Sequence, residues 1–313
     1  MRILVLGAGG IGGYFGGRLT AAGADVTFLV RDRRAAILAR DGLRIRSDLG
    51  DLDQPVRTIT RDMGTRETAP PGYDAVLLSC KAYDLPDAIA SLRPAAEGAM
   101  IVPLLNGMRH LDTLDAAFGA ENICGGVAAI GVTLENDGTV RHFGKGVAYT
   151  HGPRFASQEA RCAALAEAMA PGGFAPRNSP AIMQDMWEKF VFITTAAGTA
   201  CLMRGSIGAI ARTAEGSQLL VEMYEECAAV ATAAGYPPRD RHRDFARTGF
   251  HDKTNANVPS MLRDLRRGFQ VEADHIVGDM LLRARALAHP APLLRAASAH
   301  LAVYQEERAA RPA

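Results

Sequence analysis

A short glycine-rich segment near the start of the chain contains residues whose types and spacing suit a chemical role. Residues 7–12 follow the pattern G-x-G-x-x-G and lie between an apolar run and a helical pattern. There, glycines allow a tight turn, close approach of a pyrophosphate and close helix–strand packing, while the helix N-terminus favours an anion. The alternative is a glycine-rich turn without a ligand. We expect a dinucleotide to bind six consecutive residues: Gly7, Ala8, Gly9, Gly10, Ile11 and Gly12.

The residue that follows the second predicted strand indicates which dinucleotide is bound. NAD sites usually have an acidic residue at this point, where it holds the ribose 2′-hydroxyl. Here the residue is Arg31, whose guanidinium suits a 2′-phosphate, and Arg33 or Arg34 would add to it. The alternative is a solvated loop of mixed charge, which Asp32 keeps open. The pattern therefore favours NADP (NADPH) over NAD.

Two further predicted strands end in residues that suit the same crevice. One strand is followed by Lys81 and the other by Asn106 and Gly107. Ligands of open α/β sheets lie outside the carboxyl ends of the strands, so we expect Lys81 and Asn106 to contact the cofactor. Taken alone, such a lysine is more often solvated and an Asn-Gly pair is more often a turn.

The elements that must position these residues alternate between strand and helix in the first half of the chain. Apolar runs predict strands at 2–6, 25–30, 73–79 and 99–105, and helical patterns cover 11–22 and 87–92. This order predicts a parallel, doubly wound sheet of the Rossmann type. The turn sequence Glu-Asn-Asp-Gly separates 125–134 from 140–151 and predicts a hairpin that extends the sheet in antiparallel fashion.

The second half of the chain has no strand pattern from about residue 179 onward. Long helices are predicted at 180–202, 214–234, 259–288 and 293–307. We therefore expect an α/β domain over 1–180 and an all-helical domain over 181–313. The apolar helices suit a homodimer interface as well as a monomer core.

Composition excludes several classes of function. The 313 residues carry a formal net charge of +1 with 22% charged residues, which argues against nucleic acid and anionic membrane as partners. The five cysteines form no C-x-x-C pair, which argues against a zinc site and fits a reducing compartment. No signal peptide or membrane-spanning run is visible. We expect a cytoplasmic protein that binds a small-molecule substrate and holds no metal.

Together with motifs in the second half, these residues resemble the ketopantoate reductase family. The matching residues are the segment 7–12, Arg31, Lys81, 106–108, 187–189, 257–264 and 272–274. The resemblance implies a Rossmann domain followed by a helical domain, with the active site in the cleft between them. It also implies NADPH-dependent reduction of 2-dehydropantoate, a 2-oxo acid, to pantoate on the route to pantothenate and coenzyme A.

The resemblance assigns the central chemical role to Lys189. This lysine would bind the substrate and act as general acid on the carbonyl oxygen, with Asn106 hydrogen-bonded near the reacting centre. The residues around Lys189 are mostly apolar, so desolvation should lower its pKa and ease proton donation. Without the resemblance, a lysine whose stem packs while its amine reaches water would be the simpler interpretation.

Three further residues receive binding roles from the resemblance. Asn257 and Ser260 would hold the substrate carboxylate, and Glu272 would contact the cofactor; helix capping and a solvated glutamate are the alternatives. On a straight helix Ser260 and Glu272 stand about 18 Å apart. Both can serve one site only if they meet different parts of the ligands or if the helix breaks near Gly268.

The sequence departs from the family on the substrate side. Four positions where the family usually has asparagine are apolar here: Ile193, Ala197, Ile207 and Val277. An apolar pocket discriminates far less than one that hydrogen-bonds a substrate hydroxyl, although Thr194 and Thr195 would take over if the helix were rotated. Two alternatives therefore stay open: a paralogous NADPH-dependent reductase of a less polar 2-oxo acid or imine, and a non-catalytic NADP-binding sensor.

Overall fold

A computed structural model describes residues 1–61 and 72–311 of the chain. The chain divides into two compact units. The first comprises Met1–Leu105 and His110–Ile182, and the second comprises Asn106–Arg109 and Met183–Ala313. The short segment Asn106–Arg109 therefore groups with the second half of the chain, although it follows a strand of the first unit.

The first unit is built on the predicted parallel sheet. Its strands are β1 (Arg2–Leu6), β2 (Asp25–Leu29), β5 (Arg57–Ile59), β6 (Ala75–Leu78) and β7 (Met100–Pro103), in the spatial order β5-β2-β1-β6-β7. All neighbouring pairs run parallel. The continuous apolar runs of β1, β6 and β7 reflect burial on both faces of the sheet. The Rossmann-like architecture is confirmed.

Helices of the first unit follow these strands as an α/β fold requires. They are α1 (Gly10–Ala21), α2 (Asp32–Asp41), α3 (Leu85–Leu92), α4 (His110–Phe118) and α5 (Glu159–Met169). Glycines on α1 let it approach the sheet, since a Cβ on Gly16 would lie 2.7 Å from the Phe28 ring. The core centres on Phe15, whose ring lies 4.9 Å from Phe174 and 5.3 Å from Tyr149, centroid to centroid.

A second, mixed sheet completes the first unit. It contains β3 (Leu43–Arg46), β4 (Leu52–Gln54), β8 (Gly125–Leu134), β9 (Val140–Gly152) and β10 (Arg177–Asn178). The predicted antiparallel hairpin is confirmed as β8 and β9, with the Asp137 carboxylate accepting from the Thr139 N–H in the turn. The hairpin belongs to this separate sheet rather than to the parallel one.

The second unit is helical, as predicted. Its helices are α6 (Ile182–Met203), α7 (Ile207–Ala211), α8 (Gly216–Ala233), α9 (Asp240–His251), α10 (Ser260–Arg266), α11 (Asp279–Ala286) and α12 (Pro292–Ala309), with a π-helical turn at Asp274–Gly278. Helix α8 packs against α7, α9, α11 and α12. Within the described residues no helix is long and apolar enough to cross a membrane.

The single helix predicted over 259–288 is wrong. Gly268 adopts φ +73° and ends α10, while the Phe269 N–H donates to the Asp264 carbonyl at 2.9 Å. A left-handed residue just beyond the last turn is a common helix stop, and glycine adopts it without a steric cost. The chain then runs without helix until the π-helical turn. Ser260 and Glu272 therefore do not stand on one straight helix.

Candidate active site

The glycine segment forms a turn between β1 and α1. Gly7 adopts φ +91°, and its N–H donates to the Leu29 carbonyl at 2.9 Å. A Cβ on Gly12 would lie 2.1 Å from the Gly7 carbonyl oxygen and 2.3 Å from Ser79 Oγ, so the turn and the helix are in direct contact there. Only glycine fits at position 12 without displacing the backbone.

Gly9 differs from the other glycines of the segment because it faces open space. A Cβ on Gly9 would have no heavy atom within 4 Å, whereas one on Gly10 would lie 3.1 Å from Val132. Gly9 is also the N-cap of α1, where no side chain caps the helix. Amide groups that lack a capping side chain, beside room for a ligand, suit an anion such as a pyrophosphate. The segment therefore fits a dinucleotide.

Arg31 lies at the end of β2 but is held by acidic side chains. Its Nη2 lies 2.9 Å from Asp84 Oδ1 and 3.1 Å from Asp87 Oδ2, and both carboxylates raise the pKa of the guanidinium. The side chain remains exposed, so a phosphate can reach it in competition with these carboxylates. The two acids were not anticipated because they lie more than fifty residues along the chain.

The guanidinium of Arg34 is engaged with backbone carbonyls, whereas a phosphate ligand was expected to have its donors available. Its Nε donates to the Ala8 carbonyl at 3.0 Å, and its Nη1 donates to the Gly138 carbonyl at 2.9 Å. The half-buried guanidinium thus ties α2 to the glycine segment and to the β8–β9 turn. Arg33 remains exposed on the first turn of α2.

Lys81 lies at the carboxyl edge of the parallel sheet, as the glycine segment does. It follows β6, the neighbour of β1, and it is half-buried at the start of a short 3-10 turn over Ala82–Asp84. Ser79 Oγ donates to the Leu6 carbonyl at 2.9 Å and joins the two strand ends. The structure therefore brings the Gly7–Gly12 segment, Arg31 and Lys81 to one edge of the sheet of the first unit.

Lys189 lies in the middle of α6 among buried apolar side chains. Trp187 and Phe190 beside it are 3% and 1% exposed. Burial lowers the pKa of the Lys189 amine to about 8, while the carboxylate of Glu272 opposes this shift by favouring the charged form. Glu272, expected at the cofactor, is buried and is the charged partner of Lys189 within the second unit. A lysine with such a pKa can donate a proton near neutral pH.

Two arginines with no recognisable sequence motif, Arg239 and Arg283, contact α6. Glu188 Oε1 accepts from Arg239 Nε at 2.7 Å and from the Arg239 N–H at 2.9 Å, and Asp185 also contacts this guanidinium. Arg283 lies 5.3 Å above the Trp187 ring. No local sequence signal pointed to these contacts, because Arg239 and Arg283 lie more than fifty residues along the chain from the residues of α6 that they meet.

Asn106 precedes a turn that packs on the π-helical segment. Gly107 adopts φ +82°, and a Cβ there would lie 2.5 Å from the His275 carbonyl oxygen. The half-buried Asn106 thus belongs to the same unit as Lys189 and Glu272. His275 was not anticipated from the sequence.

Asn257 and Ser260 flank the start of α10. The Asn257 N–H donates to Asn255 Oδ1 at 3.0 Å, and the Asn257 carbonyl accepts from the Ile207 N–H at 3.1 Å. Ser260 is the first residue of α10, and no side chain caps this helix. Because α10 has only seven residues, its dipole contributes little, and any carboxylate site here depends on the polar groups themselves.

The four apolar positions that depart from the family fall into two pairs. Ile193 and Ala197 follow Lys189 by four and eight residues on the unbroken α6, so they lie on its face. Ile207 and Val277 are buried, and Val277 Cγ2 lies 3.5 Å from a Cβ placed on Gly198. The second pair is part of the core, and the first pair is placed on the Lys189 face by its helical spacing.

The two threonines of α6 do not replace the missing asparagines. At 100° per residue, Thr194 and Thr195 lie well away from the Lys189 face. Thr195 Oγ1 donates to the Val191 carbonyl at 2.9 Å. The face next to Lys189 is consequently apolar at Ile193 and Ala197.

Comparison with known proteins decides the family. Residues 3–153 match the family described as Ketopantoate reductase PanE/ApbA, and residues 181–305 match its C-terminal domain. The chain belongs to the ketopantoate reductase family. It is accordingly an oxidoreductase with a Rossmann-like fold, which confirms the resemblance seen in the sequence.

Relatives of this ketopantoate reductase family member extend over nearly its whole length. The uncharacterized oxidoreductase YkpB of Bacillus subtilis (strain 168) is 34% identical, with 98% of this chain and 100% of the relative covered. The 2-dehydropantoate 2-reductase of Pyrococcus abyssi (strain GE5 / Orsay) is 29% identical, with 94% of each chain covered. The structure of 2-dehydropantoate 2-reductase from Geobacter metallireducens GS-15 is 28% identical, with a TM-score of 0.87 and coverage of 97% and 99%.

Proposed function

We propose that this protein is an NADPH-dependent reductase of a 2-oxo acid, with 2-dehydropantoate as substrate and Lys189 as general acid. The observation that carries the proposal is the amine of Lys189, whose pKa burial lowers to about 8 beside the carboxylate of Glu272. Relatives named 2-dehydropantoate 2-reductase support the choice of substrate. With that activity the enzyme would serve pantothenate and coenzyme A biosynthesis in the cytoplasm.

The first unit would bind the cofactor. The open space at Gly9 and the uncapped start of α1 suit the pyrophosphate, and Arg31 and Lys81 lie at the same sheet edge. A bound nicotinamide supplies a hydride for the carbonyl carbon of the substrate.

The second unit would bind the 2-oxo acid and supply the proton. Lys189 Nζ donates to the carbonyl oxygen as negative charge develops there, and Asn106 helps to orient that oxygen. A pKa of about 8 keeps most of the amine protonated at pH 7 and still makes it a usable acid. The Glu272 carboxylate favours the charged form of Lys189, and Asn257 with Ser260 would hold the substrate carboxylate.

Replacement of Arg31 tests the preference for NADPH. We expect Arg31→Ala to raise the KM for NADPH by about 10–100-fold, because a charge-assisted contact to the 2′-phosphate is lost. The KM for NADH should change little. Steady-state kinetics with both cofactors measures the ratio of the KM for NADPH to the KM for NADH.

The matched control is Arg40→Ala, at the other end of α2, where the guanidinium pairs with Asp41. It should leave the ratio unchanged. Asp84→Asn should lower the KM for NADPH, because one competing carboxylate is removed. An NADPH/NADH preference that survives Arg31→Ala would show that another residue selects the cofactor.

A second candidate function is reduction of a less polar 2-oxo acid or an imine. The apolar pair Ile193 and Ala197 on the Lys189 face favours it, because an apolar surface offers no partner for a substrate hydroxyl. The fold and the proposed proton donor are the same in both cases, so only the substrate distinguishes them.

Two substrates that differ by one hydroxyl separate these functions. We expect kcat/KM for 2-dehydropantoate to exceed that for 3,3-dimethyl-2-oxobutanoate, which lacks the hydroxyl, by at least about tenfold. The assay follows NADPH absorbance. A ratio at or below one would favour the less polar substrate, and tight NADPH binding without turnover of any 2-oxo acid would indicate a sensor.

A further inference from the structure

The π-helical turn at Asp274–Gly278 holds the segment that carries Asn106. A Cβ on Gly107 would lie 2.5 Å from the His275 carbonyl oxygen and 3.0 Å from His275 Cδ2. Both the backbone and the ring of His275 therefore press directly against Gly107. Turns of this type are rare and often occur at functional sites. Gly107 directly follows Asn106, so this contact lies next to the Asn106 backbone.

His275 also lies among charged groups from several elements. The carboxylates of Glu272 and of Asp279 on α11 favour its protonated form. Arg109, from the Asn106 segment, and Arg283, on α11, disfavour that form. Burial is the largest influence and lowers the pKa of the imidazole below its usual value. Burial therefore favours the neutral ring.

Glu272 faces two bases at once. Its carboxylate favours the charged form of Lys189 and of His275. A change in the charge of one base therefore alters the electrostatic stabilisation that Glu272 gives to the other. The acid that supports the proposed proton donor is thus shared with a histidine that the proposed reaction does not use.

We propose that His275 is a positioning residue of the proton-donor site, holding Gly107 and thereby Asn106 through its neutral ring and backbone, and sharing Glu272 with Lys189. The inference rests on the proposed function for its catalytic consequence but not for its structural part. Protonation of His275 adds a positive charge to a ring that is packed against Gly107 and that Arg109 and Arg283 already disfavour in its charged form. The Gly107 turn loosens, and turnover falls on the acid side.

Histidine and backbone NMR titrations test the structural part without any turnover. The His275 signal, assigned by its loss in His275→Phe, should titrate below the usual range of a histidine, and its midpoint should fall further in Glu272→Gln because a carboxylate that favours the charge is removed. The amide signals of Asn106 and Gly107 should follow the same midpoint and lose that transition in His275→Phe. Amides that do not follow His275, or a midpoint unmoved by Glu272→Gln, would overturn the proposal.

The pH profile of kcat/KM tests the catalytic consequence. His275→Phe keeps a ring against Gly107 and cannot titrate, so it should lack the acid limb of the wild type. Each activity is expressed relative to the plateau of the same protein. One pH unit below the midpoint of the wild-type acid limb, the relative activity of His275→Phe should be about tenfold higher than that of the wild type. His275→Ala should lose more kcat than His275→Phe, because only alanine removes the ring contact.

The control His289→Phe places the same substitution at a histidine outside this cluster and should keep the wild-type profile. An acid limb that persists unchanged in His275→Phe would contradict the inference. If no 2-oxo acid is reduced by the wild type, the proposed function fails, while the NMR result still decides whether His275 positions Asn106.

Discussion

Lys189→Ala is expected to lower kcat for reduction of the 2-oxo acid by about 10²–10⁴-fold, the usual contribution of a general acid. The amine lies in a buried stretch of α6, where its pKa of about 8 suits proton donation near neutrality. NADPH affinity should stay within a few-fold of the wild type, because Gly9, Arg31 and Lys81, which are proposed to bind the phosphates, belong to the other unit. Stopped-flow measurement of NADPH oxidation and a separate NADPH titration distinguish the two effects.

Lys145→Ala provides the matched control, since this lysine is exposed on β9. It should leave kcat unchanged. Lys189→Arg keeps the positive charge but is a far weaker acid, so it should recover substrate binding more than kcat. Near-full turnover by Lys189→Ala would show that the proton comes from another group.

Gly9→Ala is expected to weaken NADPH binding by about 10²-fold while leaving the unfolding temperature nearly unchanged. A Cβ at this position meets no protein atom within 4 Å, so the unliganded fold tolerates it. The methyl group occupies the open space proposed for the pyrophosphate and holds the phosphates away from the helix amides, at the cost of charge-assisted hydrogen bonds. Fluorescence titration with NADPH and thermal unfolding measure both quantities.

Two further glycine substitutions serve as controls for this prediction. Gly12→Ala places its Cβ 2.1 Å from the Gly7 carbonyl oxygen, so it should lower the unfolding temperature itself. Gly249→Ala lies on α9 with no heavy atom within 4 Å of the added Cβ and should change neither quantity adversely. If Gly9→Ala binds NADPH as well as the wild type, the glycine segment is not the pyrophosphate site.

Much of the first unit was predictable because its strands are continuous apolar runs. The predicted bounds of β1 agree with the structure, and those of β2, β6 and β7 differ only at their ends. The strands β3, β4 and β5 were missed because they are short and half polar, and α2 was missed because Leu38 is its one fully buried residue. Local pattern fails where an element buries little of its surface.

The chemistry of the site was only partly visible in the sequence. The apolar neighbours of Lys189 predicted a lowered pKa, and its value near 8 agrees with that expectation. The sequence did not show that Glu272 is the charged partner of Lys189 or that acidic residues hold Arg31. Such contacts join residues far apart in the chain, and no spacing rule reports them.

The break in the helix predicted over 259–288 shows that one residue can end a helix although the helical spacing of apolar residues continues. The apolar spacing continues through Gly268, yet its left-handed backbone ends α10. The buried segment Val271–Ala273 then leads into the π-helical turn, which carries His275. Glu272, whose carboxylate favours the charged form of Lys189, lies in this segment.

The most direct test is the pH dependence of kcat for the wild type and for Glu272→Gln. Reduction needs the protonated amine, so wild-type kcat should fall as the pH rises through about 8. Removing the carboxylate that favours the charged amine should lower this pKa and move the basic limb to lower pH by about one unit. A wild type without a basic limb near pH 8, or a limb that Glu272→Gln leaves in place, would contradict the assignment of Lys189 as the proton donor.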